Sequence, residues 1–112
     1  MTYITKKDRD TIRIIERCIN KVTGYDKDYY LNSDSLKCRD RVMRYAWIYE
    51  IYTRTLLKQD ELSELSGIYQ PTISKSCSKA KIWIKKGENK YQKQLIQIHN
   101  EIERAILERG DN

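Results

Sequence analysis

Gln70, Ser74, Lys75 and Ser78 recur at the spacing of one helix face, and they carry an amide, two hydroxyls and an amine. These groups hydrogen bond to base edges and phosphate oxygens, whereas a merely solvated face would more often mix Glu with Lys. Tyr69, Pro71, Thr72 and Lys79 border that face, with Tyr69 and Thr72 close enough to reach a base methyl or a phosphate. Gln70 suits bidentate pairing with adenine. The surrounding charge has one sign. From Thr72 to Lys93 there are lysines at 75, 79, 81, 85, 86, 90 and 93 against Glu88 alone, a surplus equal to the formal net charge of +6 for the whole chain. A second cluster, Lys37, Arg39, Arg41 and Arg44 against Asp40, lies upstream, while Asp60, Glu61 and Glu64 make the intervening stretch acidic. The positive field is local, and such a field favours a polyanionic partner.

Other chemistry is poorly served. The glycines at 24, 67, 87 and 110 stand alone, so no phosphate-cradling loop is built from them, and His99 is the single histidine. No nucleophile, base and orienting group can be assembled around it, and the chain is expected to have neither enzymatic activity nor a cofactor. His99 falls opposite Leu95 and Ile102 on a helix, which predicts a surface residue. Cys18, Cys38 and Cys77 are odd in number and lack a Cys-x-x-Cys pair, so they suggest neither a disulfide framework nor a metal site. They are expected to be reduced and mostly buried. The longest unbroken apolar run, Tyr45 to Tyr49, is far short of the roughly 20 residues of a membrane span. The polar stretch Met1 to Asp10 has no signal-peptide core, and a cytoplasmic location without a membrane partner is expected.

The elements that must position these residues are helices. A chain of 112 residues with 39% hydrophobic residues can bury one core, so residues 1–112 are read as one domain. Apolar residues recur at three and four, which predicts an all-α, compact bundle of about six helices. Ile12, Ile15, Ile19 and Val22, widened by Ile14 and Cys18, stripe a first helix ending at Gly24. Asp26 is positioned to cap a short helix through Tyr29, Tyr30 and Leu31, and Asn32 to Ser35 read as a loop holding N-cap candidates. A long helix from about Leu36 to about Leu57 is expected to bury Val42, Tyr45, Ala46, Tyr49, Tyr52 and Leu56. Gln59 to Ser66, a turn at Gly67, and a helix from Pro71 to Lys86 follow. A last helix, from about Glu88 to Arg109, carries the seam Tyr91, Leu95, Ile98, Ile102 and Ala105.

The segment Gln59 to Ser78 has the layout of a helix-turn-helix. Two short helices crossing steeply need a small residue where their backbones approach, here Ser63, and a residue tolerant of positive φ in the turn, here Gly67. Leu62, Leu65, Ile68 and Ile73 then supply the apolar contacts that lock the pair together and against the long helix.

On these residues the chain resembles the C-terminal DNA-binding domain, domain IV, of the bacterial replication initiator DnaA, within the Trp-repressor-like helix-turn-helix group. Ile14 to Tyr25 looks like that family's opening helix and Thr-Gly turn, and Lys37-Cys38-Arg39-Asp40-Arg41 like its basic loop. Gly67 to Ile73 falls where the family carries Gly-Arg-Asp-His-Thr-Thr-Val. Ile68, Tyr69 and Gln70 replace Arg-Asp-His, and Pro71 replaces the first threonine, so origin-box specificity does not carry across. The resemblance implies sequence-specific binding of double-stranded DNA, with Pro71 to Ser78 in the major groove and Lys37, Arg39 and Arg41 on the backbone or adjacent minor groove. The role implied is that of a small regulator of transcription or a replication-associated protein lacking ATPase activity. The alternative is a protein-interaction adaptor of a replication or transcription complex that keeps the fold without base readout, a reading the lost signature residues favour. The last-helix seam is expected to pack into the domain's own core, leaving a monomer in free solution, with a homodimer as the alternative.

Overall fold

Thr5 opens the first helix, α1 (Lys6–Thr23): its Oγ accepts the Asp8 N–H at 3.1 Å. Gly24 closes it, sending its N–H back to the Asn20 carbonyl at 2.7 Å. In this computed structural model, which describes residues 4–32 and 36–109, five further helices follow: α2 (Lys27–Asn32), α3 (Cys38–Arg54), α4 (Gln59–Ser66), α5 (Gln70–Lys86) and α6 (Lys90–Glu108). The architecture is an all-α bundle with α3 at its centre, touching each of the other five. No helix among the described residues is long and apolar enough to cross a membrane.

Each outer helix gives α3 one apolar face. α1 presents Ile12, Ile15, Cys18 and Ile19, and α6 presents Leu95, Ile98 and Ile102, all buried. The seam of α6 is therefore spent inside the chain's own core, flanked by the half-buried Tyr91 and Ala105. α3 itself buries Val42, Met43, Ala46, Trp47, Ile48 and Ile51. These positions run around most of the helix rather than along one stripe.

That geometry corrects the expected inner face of α3. Val42 and Ala46 are inside, but Tyr45 and Tyr49 are half-buried, Tyr52 is exposed, and Leu56 is 87% exposed beyond the helix end. The helix stops at Arg54 because Thr55 leaves the helical region with an extended backbone. Leu57 returns to the core from the connection that follows. In α1, Ile14 and Val22 are only partly buried, at the margin of the stripe. The Asp26 carboxylate does not cap α2; it accepts from Asn20 Nδ2 at 3.0 Å, and the Asp26 carbonyl takes the Tyr29 N–H instead. Of the cysteines, Cys18 and Cys77 are buried and Cys38 is exposed; all three are free thiols. The proposed cap residues 33–35 lie outside the described residues.

His99 is not a plain surface residue. Glu50, on α3, is fully buried, and both of its carboxylate oxygens are engaged: Arg54 Nε donates to Oε1 at 2.6 Å, and His99 Nδ1 lies 2.6 Å from Oε2. Arg54 also reaches Glu103 on α6 at 3.0 Å, so this cluster cross-links α3 and α6 along their length. The hydrogen bond to Glu50 holds His99 above the usual imidazole range, against burial, which pulls the other way. The folded chain thus holds the charged imidazolium form of His99 more tightly than the unfolded chain does. The resulting stabilisation is complete below about pH 6.5, where an unfolded histidine is already protonated, and is lost as pH rises through the folded-state value.

Thermal midpoints should fall as pH rises above about 6.5 in the wild type, and His99→Gln should flatten that slope; a variant keeping the wild-type slope would assign it to another group. Tyr30 is fully buried, and its hydroxyl has no hydrogen-bond partner among the described residues; burial also makes its ionisation harder. Tyr30→Phe should therefore raise stability by about 1 kcal/mol in urea unfolding, and a loss of stability would mean the hydroxyl is hydrogen-bonded in solution.

Candidate nucleic-acid interface

α4 and α5 are joined by the short connection Gly67 to Tyr69, and the serines of α4 build it. Gly67 stands at φ 76°, and a Cβ there would meet nothing within 4 Å, so the glycine is required by backbone conformation rather than by space. Its N–H returns to the Ser63 carbonyl at 2.9 Å. The Ser63 hydroxyl donates to the Ile68 carbonyl at 2.5 Å, while Ser66 Oγ donates to the Leu62 carbonyl and accepts the Ile68 N–H. Pro71 then occupies the first turn of α5, where its missing N–H has no intrahelical partner to lose.

The inner face of α5 is Ile73, Ser76, Cys77 and Ala80, all buried. Three of these are small, which lets α5 approach α3 closely, and Ser76 satisfies its hydroxyl on the Thr72 carbonyl at 2.7 Å. Burial pushes the Cys77 thiol up to about 11, so it stays protonated at neutral pH. Leu62, Ile68 and Ile73 lock the pair as the pattern predicts; Leu65 does not, being 42% exposed. Gln70, Pro71, Ser74, Lys75, Ser78 and Lys79 face solvent, Thr72 is half-buried, and Tyr69 stands 76% exposed at the tip.

The basic turn is brought against α5 only in part. A cleft of about 290 Å³ is lined by Arg41, Arg44 and Tyr45 from α3 and by Thr72, Lys75 and Lys79 from α5. Four cations converge there, and among the described residues the lining holds no carboxylate. Lys79 Nζ lies 5.8 Å from the centroid of the Tyr45 ring, which in turn meets Trp83 edge-on. Arg41 Nε donates to the Leu36 carbonyl and Arg44 Nε to the Tyr30 carbonyl, so both guanidiniums are anchored by the backbone. Arg39 points away from this cleft. Its Nε is 3.7 Å from Asp40 Oδ1, and it borders α6 instead. Lys37 is exposed at the α3 N-cap and does not line the cleft. Arg44 and Tyr45 are the residues that a reading of α5 alone misses; their spacing from Arg41, three and four along one helix, is the signal that finds them.

A larger cleft between α1, α2 and α4 mixes Arg9, Arg13 and Lys27 with Glu16 and Asp28, so its field has no single sign. Among the described residues there is no cluster of histidine, cysteine and carboxylate side chains able to hold a metal. Comparison of the chain with family models, curated proteins and solved structures gives no match.

Gly67→Ala should cost about 1 kcal/mol, because alanine at this φ is strained although nothing obstructs its methyl. Chemical denaturation measures this, and an unchanged midpoint would mean the turn adopts a second conformation at no cost.

Proposed function

We propose that this chain binds double-stranded DNA sequence-specifically, using α4 and α5 as a helix-turn-helix with residues 70–78 in the major groove. The observation that carries the reading is the convergence of Arg41, Arg44, Lys75 and Lys79 on one cleft beside the polar outer face of α5. Phosphates positioned by that cleft leave Gln70, Ser74 and Ser78 toward base edges, with Tyr69, Pro71 and Thr72 able to meet a thymine methyl or a phosphate. Lys37 and Arg39 add charge at the start of α3. The resemblance to the DnaA DNA-binding domain supports the same docking direction. On this reading the protein is a small regulator or replication-associated factor that needs no cofactor and performs no chemistry. It acts as a monomer in free solution, since the apolar seam of α6 is already used internally.

The adaptor reading keeps one specific support. Leu65 and Tyr69, both exposed, sit at the α4–α5 tip where a protein partner could cover them.

Binding to duplex DNA should fall with salt at a log-log slope of roughly −4 to −5, from four to six neutralised phosphates. Gln70→Ala should change the preferred base at one position by about 1–3 kcal/mol. Lys79→Ala should instead weaken all sequences alike and reduce the slope by about 1. Binding that is absent at low salt, or indifferent to salt, would transfer the assignment to the adaptor.

A further inference from the structure

The second basic feature of the molecule lies on the other side of α3. Arg39 and Arg41 are two residues apart on a helix and so project about 200° apart around its axis. Arg41 lines the cleft against α5, and Arg39 lines a shallow groove against the first turns of α6, together with Lys90, Tyr91, Lys93, Gln94 and Gln97. The groove holds three cations and, among the described residues, no carboxylate. Among the described residues neither lysine has an ion-pair partner. Beside Arg39 lies Asp40, whose Oδ1 is 3.7 Å away and whose Oδ2 accepts the Tyr29 hydroxyl at 2.6 Å.

This groove is built by the turn that joins α5 to α6. Gly87 takes φ 58°, and a Cβ there would come within 2.8 Å of Ile96 Cδ1, so the turn lies directly on α6. Asn89 Oδ1 accepts the N–H groups of Tyr91 and Gln92, and Gln92 Oε1 accepts those of Glu88 and Asn89. This reciprocal cap fixes the first turn of α6, and with it the positions from which Lys90 and Lys93 project. Lys90 Nζ lies 5.2 Å from the Tyr91 ring centroid. Bringing like charges together this way is unfavourable for the isolated chain, and neither lysine contributes to the core.

We propose that Arg39, Lys90 and Lys93 form a second phosphate-contacting groove, engaging the backbone of the same duplex beyond the segment seated on α5. The inference rests on the duplex-binding reading above and extends it to residues of α6. The two cation-lined surfaces flank the start of α3. Arg39 and Arg41 both lie in the first turn of α3, so a duplex crossing that end of the helix can meet the near edge of each surface. The amides of Gln94 and Gln97 supply neutral donors on the same track.

The test is a salt titration of duplex binding by the full chain, comparing wild type with Lys90→Gln/Lys93→Gln and Lys90→Arg/Lys93→Arg, with helicity checked by circular dichroism. The glutamine pair should reduce the log-log slope by about 1.8, so that a fourfold rise in salt costs it about 12-fold less affinity than it costs the wild type. Base preference should be unchanged, and the arginine pair should restore the slope. If the wild type binds duplex DNA and the glutamine pair keeps the wild-type slope, this groove is not a phosphate contact, while the α5 reading stands. If the wild type does not bind duplex DNA at low salt, both readings fall and an acidic protein surface becomes the occupant.

Discussion

A helix that buries residues on most of its circumference needs a neighbour on every side, and α3 is such a helix. Its side chains decide where each other helix lies: α1 and α6 bring isoleucines and leucines against it, α5 brings small residues, and α4 and the connection after α3 bring Leu62 and Leu57. The same enclosure makes Glu50 the costliest residue in the fold. A carboxylate removed from water must have partners for its oxygens, and α3 and α6 supply them as Arg54 and His99. The register of α6 against α3 is thereby tied to one ionic cluster as well as to the apolar seam.

That register has a consequence at the other end of the bundle. α6 runs alongside α3 so that Glu50 meets His99 and Arg54 meets Glu103. With those pairs aligned, the first turns of α6 must lie beside the first turns of α3, where Arg39 is. α5 approaches the opposite side because its inner face is Ser76, Cys77 and Ala80, small enough for close contact. The distribution of positive charge over two surfaces therefore follows from core packing: neither groove could shift along α3 without breaking the Glu50 cluster or lifting α5 off the core.

Within the α4–α5 unit, backbone satisfaction and surface chemistry are separated cleanly. Ser63, Ser66 and Ser76 spend their hydroxyls on carbonyls of the same unit. Ser74 and Ser78, on the outer face, are exposed. Two sets of serines in one short stretch thus have different roles, and only their direction around the helix distinguishes them.

Local rules made much of this protein legible from its sequence. Gly24, Gly67 and Gly87 close helices as expected, because left-handed backbone is cheap only for glycine, and α4 spans the predicted residues because its ends are set by local hydrogen bonds. The stripes of α1 and α6 are readable because each is buried on one side alone, leaving a strong 3.6-residue period. α3 defeated the same method: with neighbours all around, it has no single stripe, and the Tyr45, Tyr49, Tyr52 series looks like one although Met43, Trp47, Ile48 and Ile51 hold the core. Leu65 and Leu56 belong to the same error, since hydrophobicity shows what a side chain prefers and not whether a partner lies within reach. The pairing of His99 with Glu50, 49 residues apart, and the splitting of Arg39 from Arg41 were decided by tertiary structure. Both depend on which helix lies on which side of α3, and that is a property of the packed bundle with no local signature in the chain.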